Sequence, residues 1–206
     1  MDKTQLFRQI QPSGLSNKEK RRLEIIEAAI DVLADEGLNK LTFNAVGQRL
    51  GIERASVAYH FPKKEVLLAQ VIRYVYLIGQ QITADRSKAA KNTEAQLLSI
   101  YDSAQYWLGS DKRFPSIVTL FYYLTTTSPQ FKELHSEIQK QGLNRIEQIL
   151  TKHFLKKNIK TSIVKTKALS LHSLMLGMTL KKYTTHDKSS TKSKAILTKT
   201  IREMLN

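Results

Sequence analysis

The sequence predicts an all-α fold, a three-helix N-terminal head followed by a helical-bundle body, and three observations carry the prediction. Apolar residues recur at helical spacing of three and four from Asn17 almost to the C-terminus. No stretch shows the strict alternation of a half-buried strand bounded by turns. The breaks between periodic runs carry helix punctuation: Gly after one run, then Ser or Thr, or a Pro, at the opening of the next.

Residues 1–15 read as a flexible arm, because Pro12, Ser13 and Gly14 interrupt any period. A first helix starts near Ser16 or Asn17 and runs to Glu36, with Ile25, Ile26, Ala29, Ile30 and Leu33 on one stripe and Gly37 as its C-cap. Thr42 is an N-cap candidate for a short helix whose inward positions are Val46 and Leu50. Gly51 breaks that helix and Ile52 plugs the corner. A second short helix turns Ala55, Ser56, Tyr59 and His60 outward and Val57 and Phe61 inward, and Pro62 ends it. Two short helices joined by a tight Gly-containing turn make a helix-turn-helix, which can set its second helix in the major groove of DNA. A fourth helix begins near Lys63 or Lys64 and carries Val66, Leu67, Val71, Val75 and Ile78 towards Ile82.

In the body, Thr93 caps a helix to Leu108 that Gly109-Ser110 ends, and Phe114-Pro115 opens another, to about Thr126. Ser128-Pro129 repeats that signal for a helix to about Lys157. After the break at Lys160-Thr161-Ser162 comes an apolar helix containing Leu169, Leu171, Leu174, Met175, Leu176 and Met178. Residues 184–190 read as a loop and Lys192 to Met204 as a closing helix, about nine helices in all. The organisation is an arm (1–15), a head (16–63), and a connecting helix with its body (64–206).

Composition narrows the function classes. With 41% hydrophobic and 25% charged residues the chain is of a globular kind, long enough at 206 residues for a substantial core. No apolar run approaches the roughly 18 residues of a membrane span, and the N-terminus lacks an apolar signal segment. The absence of Cys removes disulfides, thiolate zinc sites and thiol catalysis together, and suits a reducing cytoplasm. The net charge of +15 is unevenly placed: residues 1–75 carry +3 and residues 76–206 carry +12. Between Lys152 and Lys199 stand twelve Lys, no Arg, and Asp187 as the sole acid. That surplus lies outside the helix-turn-helix; it is either a lysine-rich solvated surface or a source of non-specific attraction to nucleic acid. There is no Gly-rich phosphate loop, no G-x-S-x-G elbow and no H-E-x-x-H, so an enzyme is not expected, nor a cofactor. His135, His153, His172 and His186 are dispersed without carboxylate partners at ligand spacing, and no metal site is expected.

From Ile25 to Leu68 the chain resembles the TetR-type (TetR/AcrR) bacterial transcriptional regulators in order and spacing. The residues that carry the likeness are the first-helix pattern IIEAAIDVLADEGLNKLT, Val46-Gly47, Gly51-Ile52, Arg54-Ala55-Ser56-Val57, Tyr59-His60-Phe61-Pro62 and Lys64-Glu65. The resemblance implies a ligand-responsive homodimeric repressor of double-stranded DNA, released from a palindromic operator by a small-molecule effector. A ligand-independent architectural or nucleoid-type DNA protein is the alternative, supported by the lysine-rich C-terminal half.

On the matched positions, Thr42 caps its helix, whose free N–H groups face a phosphate, and Lys64 offers a point charge. Tyr59 and His60 reach backbone phosphates, and Arg54 reads a guanine edge or holds a phosphate. Ala55 and Ser56 are small enough to let the helix sit deep in the groove. Arg21 and Arg22, read as preceding the first helix, can enter the adjacent minor groove. One departure stands out: many relatives carry an aromatic at the position of Ala58, and here the aromatic load rests on Tyr59 alone. For the effector, the resemblance places a pocket among the middle helices, where aromatics cluster; its candidates are Trp107, Phe121, Tyr122, His172, Met175 and Met178. The last two helices are the expected dimer surface, because Leu169 to Leu180 is apolar on more than one face.

Overall fold

The computed structural model describes residues 16–155, 157, 159–185 and 190–206. The predicted arm at 1–15 therefore lies outside the described residues, as do His186 and most of the predicted loop at 184–190. Nine α-helices and no strand occur among the described residues: α1 (Asn17–Glu36), α2 (Phe43–Leu50), α3 (Arg54–His60), α4 (Lys64–Lys88), α5 (Thr93–Ser110), α6 (Phe114–Thr127), α7 (Pro129–Phe154), α8 (Thr161–Thr184) and α9 (Ser190–Leu205). A 3-10 turn, Leu38–Lys40, joins α1 to α2. None of the helices is long and apolar enough to cross a membrane.

The predicted caps explain most boundaries. Ser16 and Glu19 form a reciprocal capping box at the start of α1, which ends where the Gly37 N–H donates to Leu33 O at 3.1 Å. Pro115 sits in the first turn of α6 and Pro129 opens α7, where a missing N–H costs no intrahelical bond. Three expectations shift. The α5 cap is Asn92, whose Oδ1 accepts from Ala95 N at 2.8 Å, while Thr93 meets His153 instead. Helix α4 runs past Ile82 to Lys88, and α9 begins at Ser190.

Two compact units result. The first comprises the chain to Gln81 together with Asp111–Phe131, and the second comprises Ile82–Ser110 with Lys132–Asn206. In the first, the α1 stripe (Ile25, Ile26, Ala29, Ile30, Leu33) is buried with Val46 of α2, Val57 of α3, Phe61, and Leu67, Val71 and Val75 of α4. In the second, a core of Leu97, Tyr101, Ile146, Leu150, Ala168, Leu171, Leu197 and Ile201 draws on α5, α7, α8 and α9.

Candidate nucleic-acid interface

The helix-turn-helix is fixed by two glycines. Gly51 takes φ 65° and closes α2 with a left-handed cap, a conformation strained for a side chain with a Cβ. Gly47 lies where Ile52 N donates to Gly47 O at 3.0 Å, and a Cβ there would stand 2.6 Å from Ile52 O. The chain thus turns from α2 into α3 over Gly51, Ile52 and Glu53, with the Ile52 backbone against Gly47. Thr42 caps α2 as predicted, its hydroxyl accepting from Ala45 N at 3.1 Å. That bond uses one of the helix's first N–H groups and leaves others open at the same end.

On α3 the predicted polarity holds in part. Arg54 and Ala55 are exposed, and Tyr59 keeps 76% of its surface in solvent. Ser56 is half-buried. His60 is half-buried rather than outward, its Nδ1 lacking a hydrogen-bond partner and its ring edge-on to Tyr59 at 5.2 Å. Burial, then the charges of Arg22, Lys18 and Arg21, hold the His60 imidazole below its ordinary value and disfavour its charged form. The Lys64 ammonium donates to Leu38 O at 2.9 Å, so part of its donor capacity steadies the 3-10 turn.

Arg21 and Arg22 stand inside α1 rather than ahead of it. Arg21 pairs with Glu24 at 2.7 Å on the exposed surface. Arg22 instead donates from Nη1 to His60 O at 2.6 Å and lies 4.3 Å from the Phe61 ring centroid. Its guanidinium is committed to the end of α3, a bond across 38 residues that local sequence pattern does not announce.

The sequence reading missed a second arginine. Arg113 Nη1 donates to Asp31 at 2.6 Å, and its Nη2 donates to Glu27 at 3.2 Å and Asp111 at 2.6 Å. Burial works against the Arg113 charge, and Asp111, Asp31 and Glu27 more than offset it. Burial pushes the Glu27 carboxyl up against the pull of Arg113. The one available signal is that Glu27 and Asp31 lie four apart among apolar α1 positions, a spacing that asks for a cation from elsewhere.

The effector candidates divide between the units. Phe121 and Tyr122 belong to the first, where Phe121 is fully buried edge-on to Tyr76 at 5.5 Å and Phe131 at 6.5 Å. Trp107, His172, Met175 and Met178 belong to the second. There Met175 is part of the packed core with Met178 against it, and the His172 ring lies against α7, its Nε2 2.8 Å from where a Cβ on Gly142 would stand. Burial holds the His172 imidazole below its ordinary value. On α8 and α9, Ile163, Leu169, Leu180 and Ile196 are exposed, and Gly177 has open space around its Cβ position. No cluster of three or more His, Asp or Glu able to hold a metal occurs among the described residues.

Residues 25–71, which span α1 to the first third of α4, match the family model for bacterial regulatory proteins of the tetR family. Over 77 residues the chain is 34% identical to the HTH-type transcriptional regulator BetI of Paraburkholderia phytofirmans, covering 37% of this chain and 40% of that one. The chain thus spans about two fifths of the length of the curated relatives it matches. Two solved structures share the fold over nearly the whole chain. A protein of Saccharomonospora viridis in complex with choline superposes with a TM-score of 0.74 at 17% identity, covering 89% of this chain and 96% of that one. A transcriptional regulator of the TetR/AcrR family from Thermobifida fusca gives 0.64 at 14% identity, covering 91% and 97%. The head thus matches the tetR family of bacterial regulatory proteins over residues 25–71, and the all-α fold is shared with these two structures over about nine tenths of the chain.

Proposed function

We propose that the chain is a cytoplasmic, sequence-specific DNA-binding repressor, working as a homodimer on a palindromic operator and released by a small molecule. The observation that carries this reading is the capped corner of α2 and α3, which leaves Tyr59 76% exposed on a seven-residue helix whose other face is core. Thr42, Arg54, Ala55, Ser56 and Tyr59 are the DNA-facing residues of this reading, with Lys64 and His60 in supporting positions. The exposed apolar residues Ile163, Leu169, Leu180 and Ile196 support pairing through α8 and α9. A two-fold then spaces the heads by about one DNA turn, roughly 34–36 Å.

Helix α6 shares the first unit with the head, and Arg113, just before α6, holds Glu27 and Asp31 of α1. An effector acting on α6 therefore bears on α1 directly, and a coupling of about 1–3 kcal/mol suffices to weaken DNA binding usefully. The choline held by the Saccharomonospora protein makes a quaternary ammonium compound the first effector to test.

The test is selection of bound duplexes from a random pool, followed by affinities for the selected and a scrambled duplex over a salt series. The reading expects a preference that persists as salt rises; equal affinities at every salt concentration would reject it in favour of an architectural DNA protein. Tyr59→Ala should weaken the selected complex by about 1–3 kcal/mol with the fold and dimer intact. Adding choline to the complex then reads the effector class through release of DNA, and an unchanged complex rejects that class.

A further inference from the structure

We propose that Arg22 is a positioning residue for DNA reading: it fixes the C-terminal end of α3, and with it the direction of Tyr59, without touching DNA. This rests on the reading that α3 enters the groove, and it names what holds that helix at its angle. A helix of seven residues is far below the roughly 12–15 at which isolated helices hold in water. Its N-cap, Glu53, makes no side-chain capping bond, so the N-terminal end is steadied by the corner alone. At the other end the last carbonyls have no intrahelical donors. Phe61 N closes on Val57 O at 2.9 Å, and His60 O takes the Arg22 Nη1–H at 2.6 Å.

That bond joins a full positive charge to the negative end of α3, the end where a cation is favourable. The guanidinium carbon also lies over the fully buried Phe61 ring, 4.3 Å from its centroid, a second contact that holds it at this end of α3. Lys18 stands one turn before Arg22 on α1, its Nζ 6.0 Å from the Tyr59 ring centroid. One face of α1 therefore meets both the last carbonyl of α3 and the exposed ring beside it. Loss of the clamp lets the last turn of α3 fray, and Tyr59 is in that turn.

The experiment separates positioning from contact by its salt dependence. In the full chain, Arg22→Gln should bind the selected duplex about tenfold more weakly, the usual worth of a charge-assisted bond. Affinity for a random duplex and the slope of log K against log salt should not change. Arg22→Lys keeps the charge but loses the planar guanidinium over Phe61, and should also lose affinity for the selected duplex only. A uniform loss on both duplexes with a slope lower by about 0.9 would make Arg22 a phosphate contact and overturn the proposal. An Arg22→Lys variant indistinguishable from the unsubstituted protein would overturn it as well. Should the unsubstituted protein prefer no duplex, the DNA reading fails and the clamp is judged without DNA. Amide exchange at Tyr59, His60 and Phe61 should then quicken in Arg22→Gln, or in Arg22→Lys if the Gln variant does not fold, while α2 keeps its protection. Unaltered protection at those three amides would contradict the clamp itself.

Discussion

The first unit seals Arg113, with 11% of its side chain exposed, among Asp111, Glu27 and Asp31, whereas the second closes round Leu97, Tyr101, Ile146, Leu171 and Leu197 and leaves its ion pairs at the rim. Lys194–Asp102 and Arg202–Glu94 have cationic side chains 50% and 66% exposed. Both units also tie side chains to backbone: Arg22 to His60 O and Lys64 to Leu38 O in the first, Tyr183 to Gln105 O and Lys157 to Leu205 O in the second. Apolar packing fixes how much is buried but tolerates small shifts, while a directed bond to a carbonyl fixes an angle. What sets the first unit apart is therefore the enclosed Arg113 cluster, since exposed ion pairs and bonds to backbone occur in both.

The contrast can be broken or sharpened by substitution. Arg113→Ala should cost about 3–5 kcal/mol, because it removes the cation that the enclosed Asp111 and Glu27 carboxylates face. Its pH dependence carries a sign. Glu27 has its carboxyl raised above the ordinary 4.5, so the folded chain holds more protons than the unfolded one over that window, and stability falls as pH rises through it. Removing Arg113 raises that carboxyl further and extends the decline to higher pH. Denaturant unfolding at several pH values reads both effects, and a variant with a flat profile would contradict them.

Gly47→Ala comes next, at about 2 kcal/mol, since its Cβ would press on the Ile52 carbonyl and the corner must open. Thermal unfolding should register it, and the selected duplex should be lost in larger proportion than stability. Thr42→Ala should cost about 1 kcal/mol through the lost cap. The smallest effect belongs to the second unit's rim: Arg202→Ala should cost no more than about 0.5 kcal/mol, as exposed pairs do. A cost there matching that of Arg113→Ala would erase the distinction between the units.

The parts of the fold legible in sequence are those with local causes. Gly37, Gly51, Pro62, Pro115 and Pro129 act within a few residues of themselves, and the boundaries they mark are found where expected. The α5 cap slips by one residue because Asn92 and Thr93 both offer an oxygen at that spacing, and His153 claims the Thr93 hydroxyl from 60 residues away. The same limit governs the site. Tyr59 is readable as exposed because its helix neighbours Val57 and Phe61 are apolar. Arg22 is not readable as a clamp, since its acceptor is 38 residues distant and is a main-chain atom of His60. Arg113 meets Asp31 and Glu27 across 82 and 86 residues. Phe121 and Met175 share the helical spacing of pocket and core residues alike, and both are enclosed by their own unit's packing.

The central claim is that one small, mildly basic head reads DNA through few contacts used twice. Its most direct measurement is the affinity and stoichiometry of the protein on the selected duplex, compared with the same duplex carrying one half-site scrambled. The account predicts two protomers on the intact site and a loss of specific affinity when either half is scrambled. Equal affinity for the two duplexes, with one protomer on each, would contradict it.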